Sequence, residues 1–382
     1  MKNKKYYILF SILIFSSLFL LSGCYQNENI ESYYYVTALG IDKGPNNNII
    51  LSVQIAKPTS SNSSSSGSSA QSSGSTLYSV ECTSVNFGLS IFNNYLSKKL
   101  NLSHCTAIIF SEEIAKEGIN DYISTLIHNT EIRPNCNIII CNKTSKEALE
   151  KISNSEENIS ARLYKFIVNS VEYTSYSINP EIKEFFNNIS DNGYGIATYG
   201  KLSETTLQND GIAVFKEDKY LTKLNVIDSI CYSIIQNKLK NCILTIQNPF
   251  IETKELDVQI KLKNNTETSV NLINGTPYIQ LNISIETALA NTYFDLDYTS
   301  IENIKILENA TSKYLEEVLL NYLYKISHDL NTDICGFKNK LANNFLTLEE
   351  FNKIDWQKIF EYSYFDVNVQ NTLNYNGLFI KD

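Results

Sequence analysis

The stretch Cys105-Thr106-Ala107-Ile108-Ile109-Phe110-Ser111-Glu112-Glu113-Ile114-Ala115-Lys116-Glu117-Gly118-Ile119 sets the fold class. Residues 105–110 read as a strand. Ser111 can cap the helix that follows, with Glu112 and Glu113 in its first turn, where carboxylates suit the helix dipole. Gly118 breaks or bends that helix, and Ile119, Ile123 and Leu126 or Ile127 carry an apolar stripe onward. Strands flank this unit upstream at 33–41 and 49–56, joined by turn chemistry at Asp42-Lys43-Gly44-Pro45-Asn46-Asn47. Val85, Leu89, Phe92 and Leu96 fall at helical spacing and predict a helix over 84–99. Downstream, 136–141 reads as a strand and Thr144-x-x-Glu147 as a capping box opening a short helix. Residues 156–190 are helical in flavour, with Pro180 near a helix start.

A change of texture at Asn192-Gly193-Tyr194-Gly195 places a boundary near 200–210. Beyond it come strands at 211–217, 242–247 and 256–263, with a helix around 226–237. Asn274-Gly275 marks a hairpin between strands near 267–273 and 277–285. A long helix spans about 300–327, its stripe drawn through Ile301, Ile304, Leu307, Tyr314, Val318 and Tyr322, and it needs a sheet to cover. A short helix from 336, a segment at 355–360 holding Trp356 as a core or boundary anchor, and a strand at 364–373 close the chain. The pattern predicts an α+β protein of two or three mixed α/β domains, with antiparallel or mixed sheets covered by helices. The expected units are 24–205 and 206–382, the first interrupted by a Ser-rich disordered loop at 59–76 that cannot bury apolar surface.

Residues 1–23 have the parts of an export signal: basic Lys2, Lys4 and Lys5, an apolar run from Tyr6 to Leu21, and a small-residue site. The run ends in Leu21-Ser22-Gly23-Cys24, which resembles the lipobox of bacterial lipoproteins. That resemblance implies a diacylglycerol thioether on Cys24, cleavage before it and an acylated amine. Two or more acyl chains make a stable anchor where one is marginal. The alternative is an uncleaved spanning helix, for which the apolar run sits near the lower length limit. Either way the body lies outside the cytoplasm, beside a membrane.

Composition excludes other classes. Hydrophobic residues make up 43% of the 382, enough for real cores, which rules out wholesale disorder. Net charge is −9 and the only arginines are Arg133 and Arg162, so a basic nucleic-acid-binding protein and a polybasic peripheral protein are excluded. After Cys24 seven cysteines remain, an odd number without any Cys-x-x-Cys, and read as buried free thiols, not a disulfide framework. Cys136 and Cys141 point to opposite faces of one strand, the wrong arrangement for a shared metal. His104 and Cys105 are strand neighbours that point apart, and His128 and His328 read as polar tips at element ends. No nucleophile elbow, P-loop, dinucleotide fingerprint or zinc-protease helix is present. The pairs Glu112-Glu113, Glu316-Glu317 and Glu349-Glu350 read as solvated faces or helix-start charges. No catalytic residue, metal site or cofactor is expected.

Several segments, taken in order, resemble one family. They are the Leu-Ser-Gly-Cys box, Thr37-Ala38-Leu39-Gly40-Ile41-Asp42-Lys43, Leu102-Ser103-His104, and the 108–119 segment quoted above. Glu131-Ile132-Arg133-Pro134 and Gly211 to Leu221 follow, then Asp333-Ile334-Cys335-Gly336-Phe337, Trp356-Gln357-Lys358-Ile359-Phe360 and Asn376-Gly377-Leu378. The chain is similar, nearly end to end, to the Ger(x)C lipoproteins, the C subunits of bacterial spore nutrient germinant receptors. It departs from them in the length of the Ser-rich stretch and in reading Leu96-Ser97-Lys98-Lys99-Leu100 where the family is arginine-rich. The resemblance implies a non-catalytic subunit tethered to the outer face of the spore inner membrane, assembling with multi-span A and B subunits. The small-molecule nutrient would act through that complex. Two other readings stand beside it: a solute-binding lipoprotein that captures the nutrient itself in a cleft between lobes, and an exported enzyme, which needs a carboxylate pair or metal set that the sequence does not display.

Overall fold

The computed structural model describes residues 30–56, 75–153, 166, 170–204, 206–293, 298 and 300–374. The expected signal peptide at 1–23, the Cys24 box, the Ser-rich stretch up to residue 74, most of 154–169 and Asn376-Gly377-Leu378 lie outside these residues.

The first half builds a nine-stranded sheet among the described residues, in the order β3-β2-β1-β5-β6-β7-β8-β9 with β4 beside β1. Its centre is parallel: β1 (Tyr33–Lys43), β5 (Ala107–Ser111), β6 (Asn137–Cys141) and β7 (Tyr194–Leu202). Antiparallel pairs flank it, β2 (Ile49–Ala56) with β3 (Ser75–Cys82) on one side and β8 (Leu207–Lys216) with β9 (Lys219–Leu224) on the other. The short β4 (Lys99–Asn101) runs parallel to the first three residues of β1, end to end with β5. Parallel strands need helical crossovers, which cover both faces and explain the unbroken apolar runs. One face, with Leu39, Ile41, Ile108, Phe110, Ile138 and Ile140, packs against α1 (Val85–Tyr95), α3 (Asn120–Ile127) and α5 (Ile182–Asn192). The other, with Ala38, Ala107, Ile109, Ile139 and Cys141, packs against α4 (Ser145–Ser153). The break at Gly118 separates α2 (Glu112–Glu117) from α3.

The second sheet runs β10 (Cys242–Gln247), β11 (Glu255–Leu262), β13 (Thr276–Leu289) and β12 (Glu267–Ile273), with β14 (Tyr364–Leu373) parallel to β13 on its far side. Asn274 and Gly275 both take positive φ, the backbone a two-residue hairpin with native twist requires. The helix α6 (Val226–Ile235) opens on a full capping box between Asn225 and Asp228, and α7 (Ile301–Tyr324) starts on the Ser300 hydroxyl. The short helices α8 (Phe337–Leu341), α9 (Leu348–Asn352) and α10 (Trp356–Phe360) complete the lobe.

Two expectations need correction. The first helix ends at Tyr95, not 99, because Lys99–Asn101 is recruited as a strand against the start of β1. The buried residues of α7 are Leu307, Thr311, Leu315, Leu319, Tyr322 and Leu323; the expected Leu307 and Tyr322 are among them, while Ile301 is 76% exposed. The expected division at 205/206 lies between β7 and β8, hydrogen-bonded neighbours in a first sheet that continues to Leu224. The two faces of this β7–β9 region serve different cores. Ala197, Ala213 and Phe215 face the first, while Ile196, Ile212, Val214 and Leu224 join the core of the second lobe.

α7 also closes the open edge of β14. Glu316 accepts the Val369 N–H at 2.9 Å and Glu308 accepts the Leu373 N–H at 2.9 Å. Eight helical residues rise about 12 Å and four strand residues about 13 Å, so the two carboxylates match every second edge donor that faces them.

Candidate functional site

The segments that carry the resemblance meet as buried latches. At the carboxyl end of β1, Asp42 is buried and accepts the Ser145 N–H at 2.6 Å, the Ser145 hydroxyl at 2.8 Å and the Lys146 N–H at 3.0 Å. It therefore supplies the start of α4 with an acceptor from another element. Burial pushes its pKa up, and those donors oppose the shift. A Cβ on Gly40 would come 2.5 Å from the Ser145 oxygen, so only glycine lets α4 approach. Lys43 bonds Glu117 and lies 3.6 Å from Glu113, tying β1 to α2.

At the other end of β1, Glu131 accepts the Leu102 N–H at 3.1 Å, joining Leu102-Ser103-His104 to Glu131-Ile132-Arg133-Pro134. His104 packs edge-on to Tyr35, with centroids 4.8 Å apart, and forms no dyad with Cys105. The Cys136 thiol donates to Cys105 at 3.8 Å between sulfurs, with no disulfide between them. Among the described residues the seven cysteines are all buried and unbridged, and Cys136 and Cys141 do face opposite cores. Burial pushes the Cys141 thiol up to about 11 and the Cys242 thiol to about 12, which leaves them protonated and poor nucleophiles. Glu112 is more than a solvated helix-start charge. It accepts the Tyr199 hydroxyl at 2.7 Å and pairs with Lys116 at 2.6 Å, and these contacts outweigh burial to lower its pKa.

A further buried carboxylate latch lies in the second lobe. Asp333 is 9% exposed. Its oxygens accept the Phe337 N–H at 2.9 Å, the Lys338 N–H at 2.8 Å and the Trp356 indole N–H at 3.0 Å. Burial raises its pKa to about 6 against the pull of these donors. Trp356 stacks on Phe360 with centroids 5.4 Å apart. Beside this latch a cleft of about 300 Å³ opens, lined by Tyr194, Lys216 and Glu217 from the first sheet and by Asn331, Lys338 and Asp355 from the second lobe. Among the described residues Lys216, Glu217 and Lys338 have no ion-pair partner, and the Asn331 side-chain oxygen is buried without a hydrogen bond. The pairing of Asp333 with Trp356, 23 residues apart, escaped sequence reasoning. The signal was there: a buried indole N–H requires an acceptor. Among the described residues no group of three or more His, Cys, Asp and Glu side chains could hold a metal, and no helix is long and apolar enough to cross a membrane.

Comparison with known proteins agrees with this geometry. Residues 26–202 match the spore germination protein N-terminal domain, and residues 210–377 match the spore germination B3/GerAC-like C-terminal domain. Spore germination protein KC of Bacillus subtilis (strain 168) is 23% identical over 373 residues, covering 92% of this chain and 91% of its own. Spore germination protein GerQC of Bacillus cereus is 21% identical over 285 residues, covering 74% and 77%. The crystal structure of the GerBC protein superposes with a TM-score of 0.57 at 14% identity, over 88% of this chain and 96% of that one, which shows a shared fold. The chain belongs to the Ger(x)C family of spore germination proteins.

Proposed function

We propose that this chain is the lipid-anchored, non-catalytic C subunit of a spore nutrient germinant receptor, needed for the receptor to assemble and signal with its multi-span A and B subunits. Family membership supports a role in spore germination. The finer reading is carried by one observation: Leu21-Ser22-Gly23-Cys24 stands directly before the family's body. Acylation of Cys24 would confine that body to the outer face of the spore inner membrane and raise its effective concentration beside membrane partners without new contacts. The buried carboxylates are saturated by backbone and indole donors, so their role is to lock elements together. The test is Cys24→Ala, read by membrane fractionation and nutrient-triggered germination. Delocalised protein with impaired germination is the expected result; delocalised protein with unchanged germination defeats the proposal.

A second reading, direct nutrient capture by this subunit, is favoured by the interlobe cleft. Its unpaired Lys216, Lys338 and Glu217 and the orphan Asn331 oxygen suit a small zwitterion. Calorimetry with single amino acids, repeated on Lys338→Met, separates the two: heat of binding that the variant loses supports capture, and no heat leaves coupling as the function.

A further inference from the structure

The residues around the start of β1 form a surface that neither the family assignment nor the anchor explains. Tyr33, Tyr34 and Tyr35 are half-buried at the start of β1, Tyr33 and Tyr35 on one face of the strand and Tyr34 on the other. Lys98 sits 5.6 Å over the Tyr34 ring and Lys99 5.9 Å over the Tyr33 ring, and the Tyr34 hydroxyl lies 3.0 Å from that of Ser97. The loop after β4 adds exposed His104, packed on Tyr35. The neighbouring loop, held by Glu131 and by the Cys105–Cys136 contact, adds exposed Arg133. The carboxylates facing this cluster are Glu31 at the chain's entry and Glu131, which lies 3.9 Å from Lys99 and is committed to Leu102. Three cations and a histidine among tyrosines therefore share one end of a body whose overall balance is acidic.

Chain length fixes what this end can face. Five residues lie between Cys24 and Ile30, and the six steps from one to the other span at most about 20 Å. If Cys24 carries acyl chains, the start of β1, one 3-10 turn beyond Ile30, stands within about 26 Å of the headgroups. Tyrosine rings settle at headgroup depth, and lysine and arginine near an anionic leaflet are attracted within a Debye length. We propose that this surface rests on anionic phospholipid headgroups, with Lys98, Lys99 and Arg133 on phosphates and Tyr33 to Tyr35 at the interface. The contact orients a body that the acyl chains alone would leave free to swivel. The inference rests on the anchor reading. Three cations do not make a peripheral protein; they set the angle of one already held.

The test uses the full acylated chain in phosphatidylglycerol-rich vesicles carrying nitroxide headgroups. A fluorophore is placed on His104→Cys or, as a distal control, on Glu252→Cys; the native thiols are buried and spared. Quenching is expected to be several-fold stronger at 104 than at 252. The difference should shrink in zwitterionic vesicles and in Lys98→Glu/Lys99→Glu/Arg133→Glu, while the protein still pellets with the vesicles. Equal quenching at both sites on vesicle-bound protein overturns this inference alone. A chain that stays in the supernatant overturns the anchor and this inference with it.

Discussion

Replacing Asp333 by alanine would leave the Phe337 N–H, the Lys338 N–H and the Trp356 indole N–H buried without their acceptor. Each stranded donor costs about 1–3 kcal/mol, so three cost about 3–9. Some of that loss is returned. A carboxyl moved from 3.8 to about 6 carries an ionisation burden at neutral pH of about 3 kcal/mol, and alanine does not bear it. The net expectation for Asp333→Ala is a loss of about 3 kcal/mol at pH 7. Asp333→Asn keeps one acceptor and sheds the burden, so it should lose less. The pH dependence is the sharper signature. The folded pKa lies above the unfolded one, so the native state binds the proton more tightly. This carboxyl's contribution to stability is then greatest at low pH, falls as pH rises from about 4 to about 6, and levels off above. Between pH 5 and pH 7 the wild type should lose about 1 kcal/mol relative to Asp333→Asn. Trp356 is the only tryptophan, so its emission during urea unfolding reports this lobe directly. A difference between wild type and Asp333→Asn that does not change from pH 5 to pH 7, or an Asp333→Ala protein within about 0.5 kcal/mol of wild type, would refute the reasoning.

Asp42→Ala removes the buried acceptor for the start of α4 and should cost about 2–4 kcal/mol, seen as a lower urea midpoint by far-UV circular dichroism. Gly211 has φ +114, and a Cβ there would lie 2.0 Å from the Leu224 carbonyl oxygen, a backbone atom that cannot step aside. Gly211→Ala should therefore cost about 3 kcal/mol or more and reduce the yield of folded protein on gel filtration. Glu308→Ala/Glu316→Ala frees the edge donors of β14; about 1 kcal/mol per lost bond is a small cost, but self-association by light scattering should rise with concentration.

Much of the fold was legible where local chemistry and tertiary role agree. The alternation of 49–56, the Asn274-Gly275 turn and the strands at 242–247 and 364–373 all appear at the positions their patterns mark. The features that escaped depend on partners distant in sequence. Lys99–Asn101 becomes a strand only because the start of β1 lies alongside. On α7, apolar residues sit all round one half, so the stripe through Ile301 looked as good as the Leu315-Leu319-Leu323 ridge; the sheet beneath chose. Which core β8 would serve could not be read from its alternation, because Gly211–Phe215 is buried on both faces. At the candidate site, Asp333 and Trp356 were each visible as family residues, but a carboxylate accepting from an indole 23 positions away leaves no periodic trace.

The strands β7 to β9 bear on how proteins of this family can diversify. Recombination between relatives at the junction of the matched regions, between residues 202 and 210, would separate neighbouring strands that share a hydrogen-bonded ladder. It would also graft one parent's Ile212 and Val214 beneath the other parent's Ile196. A hybrid that keeps the ladder whole must cross over after Leu224, so the heritable module at the front of this molecule is longer than the sequence families that describe it.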